Sequence, residues 1–319
     1  MQKTRVVIIG GGPAGLTAAL YTARAQLSTI VIVGDKLGGQ ISTTNDVDNY
    51  PGFPDGVTGP DLAAAMKAQA ERFGAQFVYD FVTEVDFTKG SPFRVKTPSE
   101  EYIADAVIVT IGASPRHLGV PGEDEFTARG VSWCATCDGF FFRGKEIIVV
   151  GGGDSALQEA IFLTKFATKV NIIHRRDELR ASVALQSRVR SNLKINFVWD
   201  TVVEEIKGNG SVNAVTLKNV KTGERTEYPT QGVFIFIGHD PNSQPFKGQL
   251  ALDDDGYLLI DSLMRTNVEG VFAGGEIADK LWRQAATSVG QGCAAALSAV
   301  DWLQENEATL QPLEEAVSG

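Results

Sequence analysis

The segment "RVVIIGGGPAGLTAALYTARAQLSTIVIVGD", residues 5–35, carries the pattern that decides the fold. Residues 6–9 are a short apolar run that predicts a buried strand. Gly10, Gly12 and Gly15 follow with the spacing G-x-G-x-x-G, and Pro13 suits a first helical turn, where its missing N–H costs nothing. A helix over 16–25 and a strand over 29–33 complete a βαβ unit. This is the context in which the glycine motif binds a dinucleotide.

A second segment, "KEIIVVGGGDSALQEAIFLTKFATKVNIIHRR" at residues 145–176, repeats the pattern. Gly151, Gly153 and Ala156 take the three glycine positions, the last as the permitted alanine. Strands are predicted over 147–150 and 170–173, with a helix over 155–165 between them. A glycine turn that binds nothing is the alternative for one such motif, but two in the same context favour binding. The sequence therefore predicts an α/β protein with two Rossmann-like dinucleotide-binding domains.

Length and composition agree with a two-domain globular protein. The chain has 319 residues, of which 43% are hydrophobic and 21% charged, and a domain typically takes roughly 100 to 200 residues. The net charge of −10 and the lack of a Lys/Arg block argue against a nucleic-acid partner. No apolar run approaches the ~18 residues of a membrane span. Three cysteines are too few for a secreted disulfide framework, and the N-terminus leads directly into a strand, so we expect a cytoplasmic protein.

The two glycine motifs are followed by different side chains. Asp35 follows the first returning strand, near the position that hydrogen-bonds a ribose hydroxyl. The second returning strand is followed by His174, Arg175 and Arg176, with Arg180 close behind. Arginine pairs with phosphate through two hydrogen bonds and accommodates the 2′-phosphate of NADP. A solvated helix face is the alternative. We predict NADP(H) at the second motif and FAD at the first.

The stretch "WCATCDG", residues 133–139, places Cys134 and Cys137 two residues apart. A structural zinc site needs four ligands, and the other candidates are scattered: Cys293, His117, His174 and His239. We therefore predict no metal and a reversible dithiol/disulfide pair, because the first thiol of a C-x-x-C motif forms thiolate readily at neutral pH. Asp138 follows directly and is placed either to move a proton or to form a turn.

Three further positions carry weaker expectations. Cys293 lies in the apolar stretch "GQGCAAALSAV", residues 290–300. This context predicts that its thiol is buried and inert. Trp133 is either a surface contact for a partner or ordinary packing. The acidic tail over 305–319 is expected to be frayed.

Nearly the whole chain resembles the low-molecular-weight, bacterial-type thioredoxin reductases of the pyridine nucleotide-disulfide oxidoreductase family. The motifs that carry the resemblance are "GGGPAGLTAA", "GGQ", "NYPGF", "TGP", "TIGA", "CATCDG", "GGGDSA", "HRR" with Arg180, "IGHDPN" and "WRQA". "CATCDG" after a flavin-type N-terminus is the most specific of them.

The resemblance implies a role for each matching residue. The FAD-binding positions are Gly10, Gly12, Pro13, Ala14, Gly15, Gly39, Gln40, Asn49, Arg283, Gln284 and Ala285. The NADPH-binding positions are Gly151, Gly153, Ser155, Ala156, His174, Arg175, Arg176 and Arg180. Cys137 is the sulfur that faces the flavin, Cys134 attacks the disulfide of thioredoxin, and Asp138 is the acid/base.

The family architecture implies a discontinuous FAD domain, residues 1–115 and 246–319, with an NADPH domain that carries the cysteines, residues 116–245, inserted between its parts. It also implies a homodimer whose inserted domain rotates, so that the flavin meets the cysteines in one pose and the nicotinamide in the other. Such motions typically take microseconds to milliseconds.

One residue departs from the family pattern. In "FAGGEIAD", residues 272–279, Glu276 stands where the family has an Asp that bonds the ribityl chain of FAD. Glutamate keeps the carboxylate but adds a methylene, so we expect FAD with a shifted hydrogen bond.

Three other functions remain open at this stage. The same disulfide relay can draw electrons from ferredoxin or another flavin instead of NADPH. The flavoprotein of a peroxide-reducing system is similar, but that class usually carries an extra N-terminal redox domain that this sequence lacks. A redox-sensing flavoprotein would retain FAD without turning over a disulfide, and the sequence offers no output domain for it.

Overall fold

The computed structural model describes residues 1–44 and 46–310. The chain divides into two compact units: a first unit of residues 1–114 with 240–319, and a second unit of residues 115–239. The chain returns to the first unit at residue 240, six residues before the boundary at 246 that the sequence analysis expected. The reason is local: the Asn242 side chain donates to Ile111 O at 3.2 Å, and Phe246 is fully buried in the core of the first unit.

The first unit contains nine strands and three α-helices in its described part. In chain order they are β1 (Gln2–Ile9), α1 (Pro13–Arg24), β2 (Thr29–Ile32), α2 (Gly59–Glu71), β3 (Gln76–Val78), β4 (Glu84–Asp86), β5 (Phe93–Lys96), β6 (Glu101–Val109), β7 (Ala113–Pro115), β16 (His239–Pro241), β17 (Val271–Ala273) and α6 (Ala285–Asn306), where β7 and β16 pair with each other and contain the two crossings. Short 3₁₀ turns occur at Gly39–Thr43 and Gln244–Phe246.

Seven of these strands form one sheet in the order β3-β2-β1-β6-β5-β4, with β17 also paired to β6. Two strands share one edge of β6: β5 pairs antiparallel with its first half, and β17 pairs parallel with its second half. The strands β1, β2, β3, β6 and β17 are parallel, so their carboxyl ends meet at one edge. Ligands bind at this edge in open α/β sheets.

Small side chains bring α1 and α6 close together. The buried face of α1 is mostly Ala, Gly and Thr, and that of α6 includes Gly292, Ala295 and Ala299. A Cβ at Gly292 would collide with the carbonyl oxygen of Ala14, so glycine is what allows the two backbones to touch. The C-terminal helix is thereby packed against the helix that follows the first glycine motif.

The second unit contains eight further strands and three α-helices in its described part. They are β8 (Val131–Ser132), α3 (Ala135–Asp138), β9 (Glu146–Val150), α4 (Asp154–Leu163), β10 (Lys169–Ile173), α5 (Val183–Arg190), β11 (Ile195–Val198), β12 (Thr201–Gly208), β13 (Val212–Asn219), β14 (Arg225–Pro229) and β15 (Val233–Ile235). A 3₁₀ turn, Gly139–Phe142, follows α3.

The sheet of the second unit repeats the central arrangement of the first. Its order is β11-β10-β9-β15-β8, all parallel, and the strand before the glycine turn lies next to the returning strand in both units. A separate antiparallel sheet, β12-β13-β14, packs against the parallel sheet. The two sheets share a hydrophobic core that includes Val150, Ile173 and Val215. The α/β class with two Rossmann-like units is confirmed.

Element boundaries differ modestly from the sequence predictions. Both helices after the glycine motifs begin earlier than expected, at Pro13 and Asp154, because each starts directly after its N-cap glycine, Gly12 or Gly153. The tail was expected to be frayed from 305, but α6 runs through Asn306 and Glu307 pairs with Arg5. Residues 311–319 lie outside the described part. None of the described helices is both long and apolar enough to cross a membrane.

An ion-pair cluster joins β1, β6 and the end of α6. Arg5 Nε lies 3.0 Å from Oδ2 of Asp105, and the same guanidinium bonds Glu307 at 2.6 and 3.0 Å. The Asp105 side chain is only 3% exposed. Burial raises its pKa to about 6 although Arg5 acts in the opposite direction.

Asp105→Asn should therefore change how stability depends on pH. The folded-state pKa of about 6 lies above the ordinary value of 3.8. The folded protein thus holds this proton more tightly, and the resulting stabilisation is present below that ordinary value and is lost as the pH rises through about 6. Relative to the parent, the variant should gain about 1–3 kcal/mol between pH 4 and 7. Urea unfolding across this range measures the difference; parallel curves would contradict it.

Candidate functional site

The first glycine turn places the N-terminus of α1 at the carboxyl edge of the sheet. Gly10 has φ 119°, which favours glycine, and a Cβ there would collide with Thr110 O. A Cβ at Gly15 would collide with the carbonyl oxygen of Gly10, so only glycine lets the helix approach the strand this closely. Gly12, by contrast, faces open space, with no atom within 4 Å of where its Cβ would lie.

The N-terminus of α1 is suited to an anion. Its N-cap is Gly12, Pro13 stands in the first turn, and no side chain of the described residues caps it. Helix α2 shows the contrast, because Thr58 caps it and accepts from Asp61 N at 3.2 Å. A helix N-terminus with unused N–H groups and open space before it is a favourable place for a phosphate.

Residues from distant parts of the chain meet beside this turn. A Cβ on Gly39 would lie 3.7 Å from the Cα of Gly12. Gln40 donates from Nε2 to Glu276 Oε2 at 2.7 Å and also to Ala113 O. Burial raises the pKa of Glu276 to about 7, against the effects of Arg283 and Gln40. The turn, the 3₁₀ segment and the Glu276 carboxyl therefore form one cluster.

The "WRQA" segment forms the start of α6. Arg283 has φ 49° and its NH2 donates to the Tyr257 hydroxyl at 3.4 Å. Gln284 is the N-cap, with a reciprocal capping box to Thr287, and Ala285 is the first helical residue. Asn49 donates to Gln284 Oε1 at 3.3 Å. Asn49 and the Arg283 segment, predicted separately from motifs, are thus brought together.

Asp279 is a structural residue that the sequence analysis missed. It is buried and accepts from the backbone N–H groups of Leu281 and Trp282 at 3.0 and 2.9 Å. Thr287 also donates to it, at 3.3 Å. Asp279 therefore fixes the loop that presents Arg283. Asp35, by comparison, lies exposed after β2 and two residues beyond Val33.

The second glycine turn is built like the first. Gly151 has φ 150°, and a Cβ there would collide with Phe236 O and lie 2.7 Å from the Cβ of Ala156. Gly153 is the N-cap of α4 and, like Gly12, faces open space. Ser155 lies exposed in the first turn of α4. No side chain in the described part of the chain caps this helix either.

The arginine loop after β10 folds back over this turn. His174 is buried against Gly152, and its Nε2 lies 3.0 Å from Glu178 O. Burial lowers the His174 pKa, so the ring is neutral at pH 7. Arg180 N donates to Gly152 O at 2.9 Å. His174 thus holds the arginine loop against the glycine turn.

Arg175, Arg176 and Arg180 are exposed on this loop. Within residues 1–44 and 46–310, none of the three forms an ion pair, whereas Lys221 pairs with Asp177 at 2.8 Å and Asp200 at 3.0 Å. Lys221 therefore neutralises Asp177, an acid of the same loop. Three guanidinium groups remain available beside an uncapped helix N-terminus.

Cys134 and Cys137 form a disulfide at the start of α3, with their Cα atoms 5.3 Å apart. Cys134 is the N-cap of this short helix, and its sulfur accepts from Cys137 N at 3.2 Å. Phe140 and Phe141 follow the pair and are 56% and 41% exposed. Two exposed aromatic side chains thus follow the disulfide closely in the chain.

Asp138 lies at the end of α3 and is held by Ser132, a residue that the sequence analysis missed. The Ser132 hydroxyl donates to Asp138 Oδ2, and its oxygen accepts from Cys134 N at 3.0 Å. Burial raises the Asp138 pKa, and the Ser132 hydrogen bond acts in the opposite direction. A partly buried carboxyl with a raised pKa is suited to proton transfer.

Trp133 and Cys293 are the two remaining positions for which the sequence analysis made a prediction. Trp133 packs against the core of the second unit and its ring centroid lies 4.9 Å from that of His117, so packing is the better interpretation. Cys293 was expected to be buried but is half-buried on α6. The described residues contain no group of three or more His, Cys, Asp or Glu side chains placed to hold a metal.

Comparison with known proteins identifies the family. The model of the pyridine nucleotide-disulphide oxidoreductases matches residues 4–292. The chain belongs to this family. A thioredoxin reductase from Streptomyces coelicolor is 52% identical over 300 residues, which are 93% of each protein. The solved thioredoxin reductase from Streptococcus pyogenes is 45% identical with a TM-score of 0.91, over 95% of this chain and 99% of that one.

A solved ferredoxin-flavin thioredoxin reductase from Clostridium acetobutylicum is more distant. It is 31% identical with a TM-score of 0.52, over 96% of this chain and 99% of that one. The comparisons confirm the predicted resemblance to low-molecular-weight, bacterial-type thioredoxin reductases.

One crowded and one open glycine, Gly151 and Gly153, allow a matched test of the second turn. Gly151→Ala should lower the thermal unfolding temperature because its Cβ collides with Phe236 O at a left-handed φ. Gly153→Ala should leave that temperature unchanged, since its Cβ meets open space. It should nevertheless weaken pyridine-nucleotide binding about tenfold, or ~1.4 kcal/mol, by filling the approach to the helix N-terminus. Equal effects of both variants on both properties would contradict this account.

Proposed function

We propose that the protein is an NADPH-dependent thioredoxin-disulfide reductase. Electrons pass from NADPH through FAD to the Cys134–Cys137 disulfide and then to thioredoxin. The observation that carries the proposal is the disulfide itself, held at a helix start beside a partly buried carboxyl in a chain with two glycine turns that lead into uncapped helices. Relatives that are about half identical over nearly the whole chain carry the name thioredoxin reductase.

The first unit is the proposed FAD domain. Its uncapped α1, the close approach of Gly39 to Gly12 and the Gln40–Glu276 pair fit an extended ligand whose pyrophosphate lies at the N-terminus of α1. The residues that would hold FAD are Gly10, Gly12, Pro13, Ala14, Gly15, Asp35, Gly39, Gln40, Asn49, Glu276, Arg283, Gln284 and Ala285. Bound flavin would accept two electrons from the nicotinamide and deliver them to the disulfide.

The second unit is the proposed NADPH domain. Gly151, Gly153, Ser155 and Ala156 would receive the pyrophosphate at α4, and Arg175, Arg176 and Arg180 would bind the 2′-phosphate. His174 contributes by shaping the loop. The absence of ion pairs on these arginines, among the residues that are described, supports a role for them in binding an anion.

The cysteines would act in sequence. Reduction of the disulfide takes two electrons and two protons and yields two thiols. Cys134, as thiolate, attacks the thioredoxin disulfide, and the displaced thioredoxin sulfur takes one proton. Cys137 then attacks the Cys134 sulfur, which restores the disulfide and releases the second thioredoxin thiol with the other proton. The N–H of Cys137, 3.2 Å from the Cys134 sulfur, favours negative charge there.

Asp138 would supply and remove protons during this exchange. Its carboxyl follows Cys137 directly, is largely buried and has a raised pKa. Exposed Phe140 and Phe141, which follow the disulfide closely in the chain, would provide an apolar contact for thioredoxin. The homodimer, the rotation of the second unit and the cytoplasmic location expected from the sequence remain predictions.

Anaerobic titration of the flavin tests the electron donor. Stoichiometric NADPH should bleach the flavin band near about 450 nm, which is a property of the cofactor, whereas NADH should require a much higher concentration. Arg175→Ala and Arg176→Ala should each weaken NADPH binding by about 10- to 100-fold, since a charge-assisted hydrogen bond contributes roughly 1.5–3 kcal/mol. Binding of NADH should not change.

Arg188→Ala is the matched control, because Arg188 is an exposed arginine on α5 outside the loop. It should leave both titrations unchanged. A flavin that neither nucleotide bleaches would contradict NADPH and favour the ferredoxin or second-flavin donor. Bleaching by NADPH without any thioredoxin reduction would favour a redox sensor instead.

A further inference from the structure

We propose that Ser132 is a positioning residue that holds Asp138 in either protonation state beside the redox cysteines. This inference rests on the proposed acid/base role of Asp138. Ser132 is the last residue of β8, where it pairs in register with Phe234 of β15, and it is 4% exposed. Its position is therefore fixed by the parallel sheet.

Three polar groups surround the Ser132 hydroxyl. Its oxygen accepts from Cys134 N at 3.0 Å. Its single proton has two acceptors within reach, Asp138 Oδ2 and the carbonyl oxygen of Cys134, the latter at 3.2 Å. A hydroxyl donates one hydrogen bond and accepts two, so the proton can serve only one of these acceptors at a time.

This arrangement satisfies Asp138 both with and without its proton. When the carboxyl is ionised, the Ser132 hydroxyl donates to it. When the carboxyl is protonated, the hydroxyl can turn to Cys134 O, and its second lone pair accepts the carboxyl O–H. Neither state leaves a buried polar group unpaired, which would cost free energy.

No other charged group accounts for the titration of Asp138. Helix α3 packs against α4, whose titratable residues are Asp154 and Glu159, and against the 3₁₀ turn Gly139–Phe142, which has none. Within α3 and its N-cap, the remaining candidates are the two cysteines, which are joined as a disulfide. Only burial and the Ser132 hydrogen bond shift the Asp138 pKa, the first upward and the second downward.

Loss of the hydroxyl should therefore raise the pKa of Asp138. In Ser132→Ala, burial continues to favour the neutral carboxyl while the hydrogen bond to the carboxylate is gone. The expected shift is about one pH unit upward, in line with the strength of a hydrogen bond to a charged group. The rate of thioredoxin reduction depends on pH. The part of this pH profile that reflects the titration of Asp138 should shift to higher pH by the same amount.

The test uses the oxidised full-length protein with carbon-13-labelled aspartate carboxyls. The Asp138 resonance is assigned by its loss in Asp138→Asn, and its titration is followed by NMR in Ser132→Ala, Ser132→Thr and Ser132→Val. Threonine and valine have nearly the same shape, but only threonine keeps a hydroxyl. This pair decides the question even if Ser132→Ala fails to fold.

The expected result is a raised titration midpoint in the Ala and Val variants and a parental midpoint in the Thr variant. Thr and Val variants that titrate alike would overturn the role of Ser132. The failure of the underlying function is separate: if Asp138→Asn keeps full thioredoxin turnover, Asp138 is not the acid/base. If Asp138→Asn is inactive but removal of the hydroxyl leaves the midpoint unchanged, only the inference about Ser132 fails.

Discussion

Both units depend on a close contact between the end of a parallel strand and the first turn of the following helix. In the first unit, Gly15 allows α1 to touch the Gly10 carbonyl, and in the second, the small Ala156 side chain does the same against Gly151. A larger side chain at either position would force the helix away from the strand. The contact directs an uncapped helix N-terminus to the carboxyl edge of the sheet, where an anion is stabilised by unused N–H groups.

The two units then differ in what surrounds this shared feature. The first adds two polar contacts between residues far apart in the chain, Gln40 with Glu276 and Asn49 with Gln284, and the pKa of Glu276 is raised to about 7. The second adds an exposed arginine loop that a neutral His174 anchors beneath the glycine turn. The same second unit carries the disulfide, with Ser132 and Asp138 beside it. The two units thus share one arrangement and differ in the side chains that surround it.

The parts of the fold that sequence patterns predict are local. Each strand–glycine turn–helix unit lies within about thirty residues, so its glycine spacing and apolar runs can be recognised without knowledge of the rest of the chain. The Cys134–Cys137 pair can be recognised for the same reason. Family membership was also accessible, because it rests on motifs that stand as continuous stretches of the sequence, such as "CATCDG".

The parts that could not be predicted depend on contacts between distant residues. Gln40 and Glu276 are 236 positions apart, and only the parallel order of the strands brings them together. The boundary at residue 240 depends on Asn242 bonding to the backbone near residue 111. Ser132 and Asp279 look like ordinary loop residues in the sequence, and their roles follow from which N–H groups and carboxyls lie within hydrogen-bonding distance. His174 was placed among the ligand residues by its motif, yet its ring is buried.

The central claim is that electrons from a nicotinamide reach the Cys134–Cys137 disulfide, and counting thiols tests it most directly. The flavin-loaded protein is treated anaerobically with one equivalent of NADPH, quenched with an alkylating reagent and analysed by mass spectrometry, with an untreated sample beside it. Half-buried Cys293 is the internal reference, because it should label equally in both samples. The account predicts that alkylation of Cys134 and Cys137 appears only after NADPH. Bleached flavin with an intact disulfide would contradict it.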